Sequence, residues 1–91
     1  MKRIRSVKLR GKRIRVVWRN LAKEDVLGLA HQDQALIEMD TNMDEKLTTD
    51  TLIHEALHVC LPDFDEDAIN EIAADIATML DRADLIKTED Q

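Results

Sequence analysis

One proline constrains this 91-residue chain more than any other residue. Residues on both sides of Pro62 carry helical signals. A proline inside a helix removes a backbone donor and clashes with the preceding turn, so it separates two helices. Upstream, Leu47, Leu52, Ile53, Leu57 and Cys60 supply the apolar positions of a helix over 42–61. Asn42 is its expected N-cap, with Glu45 at capping-box spacing. Downstream, Asp63 and Glu66 repeat that spacing, and Ile69, Ile72, Ala73, Ile76 and Leu80 recur with a helical period over 64–83. The turn between them is short, so the two helices pack side by side. The last residues, 86–91, are polar and read as a frayed tail.

The first 41 residues follow a different period. In RIRVVWR, 13–19, the apolar Ile14, Val16 and Trp18 alternate with arginines, as in a strand with one buried face. IRSVKLR, 4–10, precedes it across Gly11, which suits a hairpin turn. Ile4 is out of phase with Val7 and Leu9, so the first strand starts late or carries a bulge. Residues 20–27 form a short helix or a tethering turn. A second hairpin then turns near Gln32 and Asp33, and its second strand contains Leu36, Ile37 and Met39. The expected fold is one α+β domain over 1–91. A small antiparallel sheet of two hairpins, three to four strands, packs against a histidine-bearing helix and a following glutamate-bearing helix.

Charge divides at the same boundary. Residues 1–23 hold ten Lys or Arg and no acid, whereas all nineteen Asp and Glu lie beyond. Either the basic sheet pairs with the acidic helices inside the fold, or its arginine face, with Arg13, Arg15 and Arg19, contacts nucleic acid or another acidic partner. Cys60 is the only cysteine, which rules out an internal disulfide and fits a reducing, cytoplasmic compartment. No apolar run reaches membrane-span length. With one Trp, one Phe and no Tyr, the core is aliphatic, and a bound metal would add stability. A monomer or weak oligomer is expected.

The chemistry lies in HEALH, 54–58. His54 and His58 are one turn apart on a single helix face, so both imidazoles can bind one ion. Glu55 projects from the adjacent angle, where it can accept a proton from water activated by zinc. Zinc of this kind takes three protein donors. In AINEIAAD, 68–75, Glu71 and Asp75 are four apart on one face, a like-charge pair that a cation would relieve. Glu71 is then the expected third ligand, and Asp75 an acceptor for a histidine ring N–H.

HEALH followed by NEIAAD resembles the gluzincin zinc metallopeptidases, whose signature is HExxH with a downstream NExxxD-type helix. The likeness spans residues 35–80. It implies a zinc-dependent endopeptidase with His54, His58 and Glu71 as ligands and Glu55 as general base. Asn70 and Asp75 would orient the histidines. It also implies an edge strand at Ala35–Asp40 that pairs with an extended peptide substrate. The small size and basic first part are also similar to compact cytoplasmic SprT-like and ImmA-like proteins, often phage-borne. Such peptidases stabilise the oxyanion with Tyr, His or Arg. With no Tyr, the candidates are His31 and Arg82. The rival reading is a zinc-stapled binding module without turnover, using the basic hairpin for contact.

Overall fold

In the computed structural model, which describes residues 1–86, alternation in the first half and helical period in the second each produce their element. β1 (Ser6–Leu9) and β2 (Lys12–Arg19) form the first hairpin, β3 (Gly28–His31) and β4 (Leu36–Asp40) the second, and α1 (Glu45–Cys60) and α2 (Glu66–Arg82) complete the chain. Short 3₁₀ turns lie at Ala22–Glu24 and Gln32–Gln34. Arg10 and Gly11 both take positive φ, 50° and 80°. Two such residues are what a tight, correctly twisted hairpin turn requires. β1 begins at Ser6, so Ile4 precedes the strand and its phase mismatch needs no bulge.

The sheet order is β1-β2-β4-β3. Both hairpins are antiparallel, but β4 pairs with β2 in parallel, Arg15 opposite Leu36 through Arg19 opposite Asp40. The sheet is therefore mixed rather than antiparallel throughout. The segment 20–27 carries β3 one place beyond β2, and β4 fills the gap. That segment is anchored by Leu21, which is fully buried and donates its N–H to Asp40 Oδ1 at 2.9 Å. The expectation of an edge strand at Ala35–Asp40 is thus corrected: β4 is interior, and the edge on that side is β3.

Ile14, Val16, Ile37 and Met39 make the buried face of the sheet, with Leu52 and Val59 of α1 and Met43 packed on it. Each such side chain contributes about 1.5–3 kcal/mol by leaving water. α2 runs antiparallel to α1, its Asp81 within 3.6 Å of Lys46 near the start of α1. Ile69, Ala73 and Ala77 are its buried stripe. The helix starts differ from the sequence expectation. Asp44, not Asn42, caps α1 by accepting from the Leu47 N–H, and Asp65, not Asp63, caps α2 by accepting from Asp67. A carboxylate nearer to the first helical residue serves as cap in each case. The frayed tail expected at 86–91 lies, beyond Ile86, outside the described residues. No described helix is long and apolar enough to cross a membrane.

Candidate metal centre

α1 sits between the sheet and α2, yet its buried residues are Thr48, Thr49, Thr51 and Glu55. The hydroxyls of Thr48 and Thr49 donate to Asp44 and Glu45 carbonyls one turn back, at 2.7 and 2.8 Å. They therefore cost little to bury. Glu55 is different. It is a carboxylate only 6% exposed, at the point where α1 approaches β3. A Cβ on Gly28 would lie 2.9 Å from Glu55 Cγ and 2.9 Å from Thr51 Cγ2. Only a residue without a side chain lets the strand come this close. Burial pushes the Glu55 carboxyl up to about 7, the nearby Glu66 carboxylate adds to the rise, and His31 opposes it.

The two imidazoles lie one turn apart on α1, as the spacing requires. Their Nε2 atoms are 3.0 Å apart, and the rings meet edge to face at 67°. The third group is Glu66, the first residue of α2. Its Oε1 is 3.1 Å from His54 Nε2 and its Oε2 is 2.9 Å from His58 Nε2. His54, His58 and Glu66 form a cluster able to hold a metal ion. The donor chemistry fits that role. Without a metal each ring can donate an Nε2–H to its own Glu66 oxygen, and with the rings deprotonated there the two nitrogens and the carboxylate aim lone pairs at one point, as metal ligands do. A cation satisfies all three. Zinc–nitrogen bonds of about 2.0–2.1 Å imply tetrahedral ligand separations of about 3.3 Å, close to those seen here. The histidine side chains are 17% and 23% exposed and Glu66 59%, so the cluster opens to solvent on the α2 side.

Several expected residues lie elsewhere. Glu71 is exposed and does not join the cluster, because it sits five residues beyond Glu66, about 140° further round α2. Asp75 is also exposed and lines neither cleft beside the histidines. Asn70, one turn after Glu66, does line one of these clefts with His54 and Glu55. His31 is held by Glu38 at 2.8 Å and lines neither cleft. Arg82 ends α2, sixteen residues from Glu66 and about 24 Å along the helix. Neither is placed as an oxyanion donor.

The sequence reading missed Glu66, Gly28 and Gln32. The signal for Glu66 was present. Position 66 is three residues before Ile69 and continues the stripe Ile69, Ala73, Ala77 that faces α1. Two adjoining clefts share Gly28, His54, Glu55 and Glu66. One extends past Val26, Leu27 and Leu47, the other past Leu29, Ala30 and Gln32 along β3. Gln32 is fixed there by donating its side-chain N–H to the His58 carbonyl. Comparison with family models, curated proteins and solved structures finds no match to this chain.

Proposed function

We propose that the chain is a minimal zinc-dependent peptidase acting on extended protein segments. His54 Nε2, His58 Nε2 and the Glu66 carboxylate would hold the metal, and Glu55 would act as general base. The observation carrying this reading is the convergence of three donors beside a buried, proton-retaining carboxylate in an open cleft. Structural zinc sites are closed by four protein ligands, whereas catalytic sites keep a position open. Three donors with a solvent-facing side match the second pattern, and this disfavours a purely stapled module. A zinc ion in this place would supply Lewis acidity to a peptide carbonyl.

The chain's own residues would do the remainder. The Glu55 carboxylate takes the proton of the attacking water and passes it to the departing amine. Gly28 admits β3 close enough to hold that carboxylate against α1. The free edge of β3, rather than Ala35–Asp40, offers backbone groups to an extended substrate lying past His54 and Glu55.

Metal content and cleavage of a denatured, fluorescently labelled protein test the reading together. The wild type should carry one zinc per chain and cleave. Glu55→Gln should keep zinc and lose cleavage. Glu66→Ala should weaken zinc by about 100-fold or more, beyond the loss typical of an outer partner, while Glu71→Ala leaves it unchanged. Zinc lost in Glu71→Ala but kept in Glu66→Ala would refute the ligand set. Cleavage by Glu55→Gln would refute the mechanism, and zinc without cleavage by the wild type would leave only the stapled module.

A further inference from the structure

Both helices lie on one side of the sheet, so among the described residues the opposite face has no covering layer. Strand alternation puts Ser6, Lys8, Arg13, Arg15 and Val17 on that face, away from the buried Ile14 and Val16. In the hairpin register Lys8 stands directly opposite Arg13, and Arg15 opposite Ser6. Like charges facing each other across a strand pair destabilise it. The acidic half of the chain does not relieve them. Among the described residues, neither Lys8, Arg13 nor Arg15 has a carboxylate within 4.0 Å. Arg13 reaches only the Ser6 hydroxyl, at 3.2 Å. Arg19, at the far end of β2, is withdrawn from the set by ion pairs with Glu24 and Glu38. Beside this face a recess is lined by Arg3, Arg5 and Arg15.

We infer that the open face of the β1–β2 hairpin binds double-stranded nucleic acid through its phosphates, with Lys8, Arg13 and Arg15 as the main contacts. Three features select this occupant. The charge is complementary, and it is mostly guanidinium, whose fork matches a phosphate. The basic area is a stripe along one hairpin. On the same face, β4 presents Glu38 and Leu36, so a broad anionic plane such as a membrane would meet acid as well as base. A linear polyanion can follow the stripe alone. Among the described residues the aromatic ring on this face is His31, at the β3 edge and held by Glu38 at 2.8 Å. Trp18 also lines the recess beside Arg3, Arg5 and Arg15, but it packs on the core, the Arg3 guanidinium covers its ring at 5.4 Å from the centroid and its Nε1 donates to the Ile4 carbonyl at 2.8 Å, so it offers no free platform for single-strand stacking. Binding is therefore to the backbone and independent of sequence. β1 and β3 are opposite edges of the sheet, so a duplex on the hairpin leaves the histidine cleft open. The inference stands whether or not the chain is a peptidase.

The test is fluorescence anisotropy of a labelled random-sequence DNA duplex titrated with the full chain over a range of salt. Binding should appear at low salt and weaken steeply, with log K falling against log salt at a slope of about −3. Each of Lys8→Gln, Arg13→Gln and Arg15→Gln should reduce that slope by about 1. Lys46→Gln and Arg82→Gln, on the helices, should leave it unchanged, and circular dichroism should show every variant folded. Three outcomes would overturn the inference: no duplex binding at low salt, unchanged binding in the triple variant, or tighter binding to phosphatidylserine vesicles than to DNA. A salt-sensitive dimer of the chain alone, abolished by the triple variant, would assign the face to a second copy instead.

Discussion

Gly28→Ala probes the join between sheet and site. The backbone at Gly28 does not have positive φ, so alanine is conformationally acceptable there and would by itself add about 0.5–1 kcal/mol of stability. Space opposes it. The new methyl would lie 2.9 Å from Glu55 Cγ, 2.9 Å from Thr51 Cγ2 and 3.0 Å from Glu55 Oε2, against an optimal carbon separation of about 3.5–4.0 Å. Relief requires Thr51 to switch between its two helical χ1 rotamers and lose its hydroxyl contact with Met43 Sδ at 3.5 Å, or α1 to retreat, or Glu55 to rotate into the cleft. Overpacking of this kind costs about 1–3 kcal/mol, leaving a net loss of up to about 2.5 kcal/mol. A double-mutant cycle isolates the cause. Thr51→Ser removes the clashing methyl and keeps the hydroxyl, so Gly28→Ala should cost about 1 kcal/mol less in that background. Urea denaturation of the four metal-free proteins measures it. If the two mutations add without coupling, or if Gly28→Ala alone stabilises the chain, then the close approach of β3 to α1 is not what holds Glu55. In an active preparation the same substitution should cost about 100-fold in kcat/KM, since a displacement of about 1 Å suffices for that.

Two further predictions concern pH. In the metal-free protein the unfolded chain loses the Glu55 proton near 4.5 and the folded chain near 7, so stability falls as pH rises between these values. The gap corresponds to roughly 3 kcal/mol, and chelator-treated Glu55→Gln should outlast the wild type in urea by up to that amount at pH 8 but not at pH 4. Parallel stability curves for the two proteins would count against a proton-retaining Glu55. At Glu38 the sign is reversed. Its hydrogen bond from Arg19, with that from His31, holds its carboxyl below the usual range against the opposing effect of burial. Its stabilisation is therefore present above the unfolded value and lost as pH falls through the folded one. Thermal melts should show Glu38→Gln less stable than wild type at pH 7, with the difference shrinking as pH falls below the ordinary glutamate range.

The periodic elements were legible because their buried faces are written in consecutive residues. Ile14 and Val16 point inward as alternation requires, and the turn forms at Arg10 and Gly11. The histidine pair followed from spacing within one helix. The third member of the cluster depends on how α2 is rotated against α1, which residues 69, 73 and 77 decide. Weighing Glu71 with Asp75 as a charged pair attended to the exposed side of α2 instead of its buried one. The parallel pairing of β2 with β4 was not legible either. It depends on the path of segment 20–27, whose decisive residue is Leu21, the one buried side chain among its four apolar ones. Arg13, Arg15 and Arg19 were grouped by type, and only their neighbours distinguish the first two from the third.

The strand order carries a consequence for the chain as it emerges during synthesis. β2 pairs with β4 across about twenty intervening residues, while its other neighbour, β1, is adjacent in sequence. Until β4 arrives, the β2 flank is an open seam that another nascent copy could extend into an aggregate. Arg13, Arg15 and Arg19 stand on alternate positions of β2, interrupted only by Val17, and the mutual repulsion of incoming copies protects the seam through the interval. Neutralising them should thus lower the yield of soluble protein even where the finished fold is unaffected.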